Sequence, residues 1–397
     1  MDFMDFNEYE ITGNQVLLNL PKALILNSRQ SKTPFGGCEW VKKTVEAVKY
    51  AVGRRMPVIS SVGMNTWEII LWATQNYGGN GIVILPFEKN DNPHGLADSI
   101  SSDFNLNKDD FAFVFVHSGN ESRSRKSWWE SRDRLAFNIA DYIFPVSVRR
   151  DGKWINFINS TNAQFKVIEY SYKARYEPKM KEVKANENIP KDIYRCENWG
   201  WLTHWTRKFC GPWPGEKSCD FYRALVASES DYPKKASDTL KKILSDRILR
   251  GSSSRIRGGT NVVAFTSLEP SDAVKLMKWR SRYVRYTFEP YGIAIRKEAA
   301  LNIGIKRVRY VKGNEDTPDV DIGFVQGYNK GNWSMESEWR YIGDLDLGTF
   351  DKDDIRVIVP STNETEDFKS ISPFKIIALD NLADISGWGQ STIATSG

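Results

Sequence analysis

Cysteine is scarce in this 397-residue chain, charge of one sign is slight, and long apolar runs are missing. Each lack removes a class of protein. Four cysteines without a Cys-x-x-Cys pair make neither a disulfide scaffold nor a zinc ribbon. No stretch approaches the roughly 20 apolar residues of a membrane span, so no membrane partner is expected. The opening Met1-Asp2-Phe3-Met4-Asp5-Phe6 is acidic and lacks the basic-then-apolar order of a secretory signal; a cytoplasmic location is expected. Net charge is only +5.

What is present is globular: 41% hydrophobic and 26% charged residues, with a length that favours two domains over one core. The basic residues cluster, at Arg123, Arg125, Lys126, Arg132 and Arg134, and again at Arg280, Arg282 and Arg285. Fourteen Trp and sixteen Tyr accompany them. Cations for phosphates and rings for bases suit nucleic acid. Cys196, Cys210 and Cys219 flank His204, and these four residues are the alternative set for a metal; their spacing does not favour zinc.

From residue 23 the pattern alternates. Ala23-Leu24-Ile25-Leu26-Asn27-Ser28-Arg29 is a short apolar strand with a polar end, followed by a helix over 40–55 carrying Val41, Val45, Val48 and Val52 at helical spacing. A strand over 57–61, a turn at Gly63, a helix over 66–77 and a strand over 82–86 come next. Arg132-Asp133-Arg134 opens a helix that feeds the strand Tyr142 to Val148. Strands and helices in this order predict a doubly wound parallel α/β sheet over residues 1–150. Ser28, Arg29, Gly63, Arg132 and Arg134 then line the edge where such sheets bind phosphate.

This region resembles the DNA-processing protein A and lysine-decarboxylase-like (Lonely-guy) group of nucleotide-binding domains. Asn27-Ser28-Arg29 stands at that group's Gly-Ser-Arg, and Ser60-Ser61-Val62-Gly63-Met64-Asn65-Thr66 at its glycine-containing middle turn. Arg132 to Asp141 stands at its Arg-Asn-Arg-Ile-Ile-Ala-Gly-Leu-Ser-Asp segment. The resemblance implies a Rossmann-like fold that binds a nucleotide or DNA. The group's late Gly-Gly-x-Gly-Thr phosphate loop does not follow Val148, so binding is expected rather than phosphoribohydrolase chemistry.

Residues 151–195 are rich in Lys and Glu, and 179–188 has no apolar helical face, which reads as a linker. A separate α+β domain is expected over 196–390. Trp201 to Arg207 reads as a strand, 220–228 and 236–249 as helices, and Val262-Val263-Ala264-Phe265-Thr266-Ser267 as a strand ending in hydroxyls. Strands over 291–295 and 308–311 precede Glu336-Ser337-Glu338-Trp339-Arg340-Tyr341-Ile342. Period-2 alternation would put Glu336 and Glu338 on one side of that strand. Phe288-Glu289-Pro290-Tyr291-Gly292 is either a turn bringing Glu289 to the same cleft or a strand entry.

The order His-x-Thr, Phe-Thr-Ser, Glu-x-Glu resembles the ADP-ribosyltransferase-like superfamily. The resemblance implies NAD as cofactor, His204 and Thr206 at its ribose and amide, and Thr266 and Ser267 framing the nicotinamide pocket. Glu338 would stabilise the oxocarbenium-like transition state, Glu336 would orient the acceptor, and Arg207 or Arg223 would hold a phosphate. A carboxylate beside developing positive charge lowers such a barrier.

Three functions follow. One is a bacterial two-domain enzyme doing ribosyl or base chemistry on DNA or nucleotides in a DNA-modification or phage-defence system, with other proteins of that system as partners. A variant processes a hypermodified base without NAD. The third is a non-catalytic nucleotide sensor or DNA-binding protein.

Overall fold

Ala23–Asn27 (β2) is buried at every position, the signature of a strand covered on both faces. The computed structural model describes residues 9–381 except 88–91, 118–124, 178–188, 191–192, 194–195, 197–198, 255, 282–284, 313–316, 318 and 328–332. The expected linker stretch 179–188, Arg123 and Arg282 lie outside the described residues. The chain divides into two units, Met1–Met180 with Gly215–Pro233, and Lys181–Pro214 with Lys234–Gly397.

The first unit is built on β1 (Glu10–Gly13), β2, α1 (Glu39–Gly53), β3 (Val58–Ser60), α2 (Asn65–Asn76), β4 (Gly81–Phe87), α3 (Pro93–Phe104), β5 (Phe111–His117), α4 (Arg125–Ile139), β6 (Tyr142–Ser147), α5 (Lys153–Ile158) and β7 (Val167–Ile168). Strand order is β1-β5-β4-β3-β2-β6-β7, parallel except for β1. The expected parallel sheet is present. One cluster packs Ala23, Ile25 and Val83 against Val41, Val45 and Val48 of α1; the other packs Leu24, Leu26 and Ile84 against Leu135, Ala136 and Phe137 of α4. The chain runs outward from β2 to β5 and then returns to β2's other side as β6. The topological switch point therefore lies between β2 and β6.

Two boundaries differ from the sequence reading. β7 pairs with β6, and Tyr172 packs on Tyr50 and Phe144, so the first unit continues past residue 150. The helix expected over 220–228, α6 (Ser218–Ala227), belongs to the first unit rather than the second. Its Tyr222 ring stacks on Phe104, and its hydroxyl donates to Glu68 at 2.5 Å. Gly36 and Gly37 allow that approach: a Cβ there would lie 2.0 Å from Val226 O and 1.8 Å from Glu229 O.

The second unit is a mostly antiparallel sheet: β8 (Trp201–Trp205), β9 (Val262–Thr266), β10 (Gly292–Arg296), β11 (Lys306–Arg307), β12 (Glu338–Ile342), β13 (Ile355–Val359) and β14 (Lys375–Ala378). The order is β11-β12-β9-β8-β10-β13-β14, with only the last pair parallel. One face carries Leu202, Val263, Phe265, Ile293 and Val357 against Leu240 and Leu244 of α7 (Ala236–Asp246). The other carries Trp201, Trp205, Ala294 and Ile358 against Ala273 of α8 (Pro270–Val274). No helix among the described residues is long and apolar enough to cross a membrane.

Candidate functional sites

At the switch point a knot of hydrogen bonds ties three segments together, residues 28–30, 147–149 and 175–176. Ser28 N donates to Ser147 O at 2.8 Å, and Arg149 N donates to Ser28 Oγ at 2.9 Å. Gln30 Nε2 reaches Ser147 Oγ at 2.9 Å, and that hydroxyl donates to Arg175 O at 3.4 Å. Tyr176 OH lies 3.5 Å from Arg29 O. The backbone around this knot carries Arg29, Arg149, Arg150 and Arg175, all exposed. Arg149 is paired with the exposed Asp151, whose carboxyl it holds down at a pKa of about 2.

The same sheet edge holds buried polar atoms with no hydrogen-bond partner among the described residues: Asn27 Oδ1, Ser61 Oγ and Thr66 Oγ1. Ser61 follows β3, and Thr66 lies in the first turn of α2, whose amides point outward. Gly63, at φ +92°, makes the turn between them and donates its N–H to Glu68. Burial raises the Glu68 carboxyl's pKa. Ser28, Arg29 and Gly63 thus stand at the expected edge, joined by Gln30, Ser147, Arg149, Arg150 and Arg175. Sequence reading missed these five because the knot assembles residues more than 100 positions apart.

The Arg132/Arg134 expectation needs correction on two points. These arginines do not open a helix: α4 starts at Arg125, because the intervening Lys, Ser, Trp and Glu residues include no Gly or Pro. Nor do they share a face, since two helical positions are about 200° apart. Arg134 is exposed, whereas Arg132 is 2% exposed. The Arg132 guanidinium lies 4.9 Å from the Trp67 ring centroid and 4.7 Å from that of Trp129. It donates to Asp133 at 2.9 and 2.7 Å. Burial raises the Asp133 pKa while Arg132 pulls it back.

In the second unit, register decides which residues meet. Thr203 pairs with Thr266, which pairs with Glu338, so these three share one face. His204 is one residue on and faces the other way, with its ring edge-on to Phe265. Its Nδ1–H donates to Ala264 O at 2.8 Å, and burial lowers its pKa. Thr206 is buried with its hydroxyl donating to Ala236 O and Tyr291 O at 3.1 Å. The structure does not bring His204 and Thr206 together with Glu338. Thr203, which the sequence reading passed over, takes that place.

Ser267 donates through its backbone N–H and its hydroxyl to Ser337 O, at 3.2 and 3.4 Å. Glu336 ends a short 3-10 helix and Ser337 has φ +44°, so strand alternation does not relate Glu336 to Glu338. Glu338 accepts from Arg340 Nε at 2.7 Å and from Tyr310 OH at 3.1 Å. Burial, then the Glu338 charge, raises the Glu336 pKa to about 7; Arg280 and Arg207 pull it back. Glu289 Oε1 accepts from Lys208 N at 2.8 Å, which ties it to the loop after β8.

Arg223 belongs to the first unit and pairs with Asp220. Of the alternative metal set, Cys219 lies in the first unit and Cys196, His204 and Cys210 in the second. No group of three or more possible ligands forms among the described residues.

No family model matches the chain, and no curated protein does. Among solved structures it is similar to DNA processing protein A from Helicobacter pylori, described for its single-stranded DNA binding mode. The identity is 16%, over 37% of this chain and 63% of that one, with a TM-score of 0.27. It is also similar to DNA processing protein A from Streptococcus pneumoniae, at 15% identity over 40% of this chain and 52% of that one, with a TM-score of 0.30. The chain thus spans less than two thirds of each. A likeness this faint concerns the fold alone.

Proposed function

We propose that the first unit binds the phosphates of DNA or of a nucleotide at the C-terminal edge of its parallel sheet. The observation that carries the reading is the exposed set Arg29, Arg149, Arg150 and Arg175, gathered around one hydrogen-bonded knot at the switch point. Guanidinium groups pair with phosphate in two directions at once, and exposed ones release counterions on binding. The unpartnered Ser61 and Thr66 hydroxyls offer further donors.

Fluorescence anisotropy with a labelled oligothymidine across salt concentrations tests this. Affinity falls steeply with salt, and each phosphate contact removed flattens the log–log slope by about 0.7 on single strands. Arg29→Ala, Arg150→Ala and Arg175→Ala each weaken binding, by roughly 1 kcal/mol or more for a charge-assisted contact. Absence of binding at low salt, or wild-type affinity in the triple variant, removes nucleic acid from the reading.

A second reading, ribosyl or base chemistry in the second unit with or without NAD, is favoured by Glu338 lying opposite Thr266, whose hydroxyl also holds the backbone carbonyl of Glu336. Mass spectrometry of DNA and nucleotides incubated with the protein, with and without NAD, tests it. An unchanged product spectrum in both cases rejects it.

A further inference from the structure

The two carboxyls of the second unit have unlike surroundings. Glu338 has a donor on each oxygen, Arg340 Nε on Oε1 and Tyr310 OH on Oε2. Arg340 is itself fixed: it is 2% exposed, and its other nitrogens donate to Gly323 O at 2.9 Å and Gln326 Oε1 at 2.7 Å. A guanidinium so held leaves the Glu338 oxygens occupied. The Glu336 carboxyl is half-buried and has no hydrogen bond among the described residues. What fixes Glu336 is its backbone, since Thr266 Oγ1 donates to Glu336 O at 2.6 Å.

An independent observation points to a ligand on this face. The Thr203 hydroxyl is buried, at 1% exposure, and has no partner among the described residues. It stands one strand from Thr266 and two from Glu338 in the same cross-strand row. An unpaired buried hydroxyl costs about 1–3 kcal/mol unless something hydrogen-bonds to it.

We infer that this face is a proton-transfer site in which Glu336 gives and takes the proton, Glu338 is held in place by Arg340 and Tyr310, and the Thr203 hydroxyl meets a ligand bearing a hydroxyl or ring nitrogen. The inference rests on the second reading above and gives Glu336 proton transfer in place of orienting the acceptor. The proton passes from the Glu336 carboxyl to a lone pair on the ligand, leaving a carboxylate that solvent reprotonates; no other reagent is needed. The charged and titratable groups around Glu336 are Glu338, Tyr310, Arg280 and Arg207. Burial and the like charge of Glu338 hold its proton on to about pH 7, near the point where a general acid–base group works best.

Infrared difference spectroscopy of the full chain across pH reads this without a substrate. A carboxyl band titrating near neutral pH and missing from Glu336→Gln is expected. Glu338→Gln should lower its midpoint by roughly one unit, because a neighbouring negative charge is gone. Thr203→Val should raise the urea midpoint above that of the wild type, as it removes the cost of an unpaired buried hydroxyl in the ligand-free fold. The inference is overturned if Glu336→Gln removes no band titrating above about pH 6, if Glu338→Gln leaves the midpoint in place, or if Thr203→Val unfolds the unit. A failed search for ribosyl or base products would leave the titration standing, so the two readings fail separately.

Discussion

Arg132→Ala separates a structural arginine from a phosphate-binding one. In the folded first unit Arg132 lies between the Trp67 and Trp129 rings and is paired with Asp133, the two side chains being 3% and 15% exposed. Truncation deletes two cation–π contacts, about 0.5–2 kcal/mol each, and leaves the largely buried Asp133 without its partner. Breaking a buried pair on one side costs about 3–5 kcal/mol. Asp133 has an escape, since burial already raises its pKa and losing Arg132 raises it further, so it takes up a proton. The expected loss is therefore on the order of 3 kcal/mol near neutral pH. A carboxyl with a raised folded pKa gives stability that is present at low pH and lost as pH rises through that pKa. The deficit of the variant is accordingly smaller at pH 5 than at pH 8. Urea denaturation followed by tryptophan fluorescence measures it, with Arg134→Ala as the exposed comparison, expected within about 0.5 kcal/mol of wild type. Arg132→Met with Asp133→Leu removes both charges and should recover most of the loss. A loss under about 1 kcal/mol in Arg132→Ala, or an equal one in Arg134→Ala, refutes the buried-pair account.

Two further outcomes follow from the same geometry. Glu336 ionises near 7 when folded against an ordinary 4.5, so its raised pKa makes the second unit lose stability as pH rises from about 4.5 to 7. Glu336→Gln lacks this dependence and should be the more stable protein above pH 7, by up to roughly 3 kcal/mol; parallel urea curves for both proteins at every pH refute it. Gly36→Ala puts a methyl where Val226 O lies at 2.0 Å, so hydrogen exchange should show segment 218–227 losing protection while the parallel sheet keeps it.

The parallel sheet was legible because its evidence is local. Ala23 to Leu26 and Ile82 to Leu85 are unbroken apolar runs, and α1 repeats its valines at helical spacing. Those patterns fix element type without knowledge of partners. Ser28, Arg29 and Gly63 were readable for the same reason, since strand ends and turns of such a sheet fall on one edge. Arg132 and Arg134 looked equivalent in sequence. Where a helix starts and which arginine it buries depend on Trp67 and Trp129, which lie on two different helices. In the second unit the residue types at the carboxyl face were visible but their grouping was not. A one-residue difference in register moves a side chain to the opposite face, so the choice between Thr203 and His204 was made by the pairing of β8 with β9. The sequence by itself determined the strands β2, β3, β4 and β6, the helices α1 and α2, and the polar ends of those strands. Only the tertiary structure decided which arginines face water, which glutamate is clamped and which has its pKa raised by burial, because each depends on burial and on partners far away in the chain.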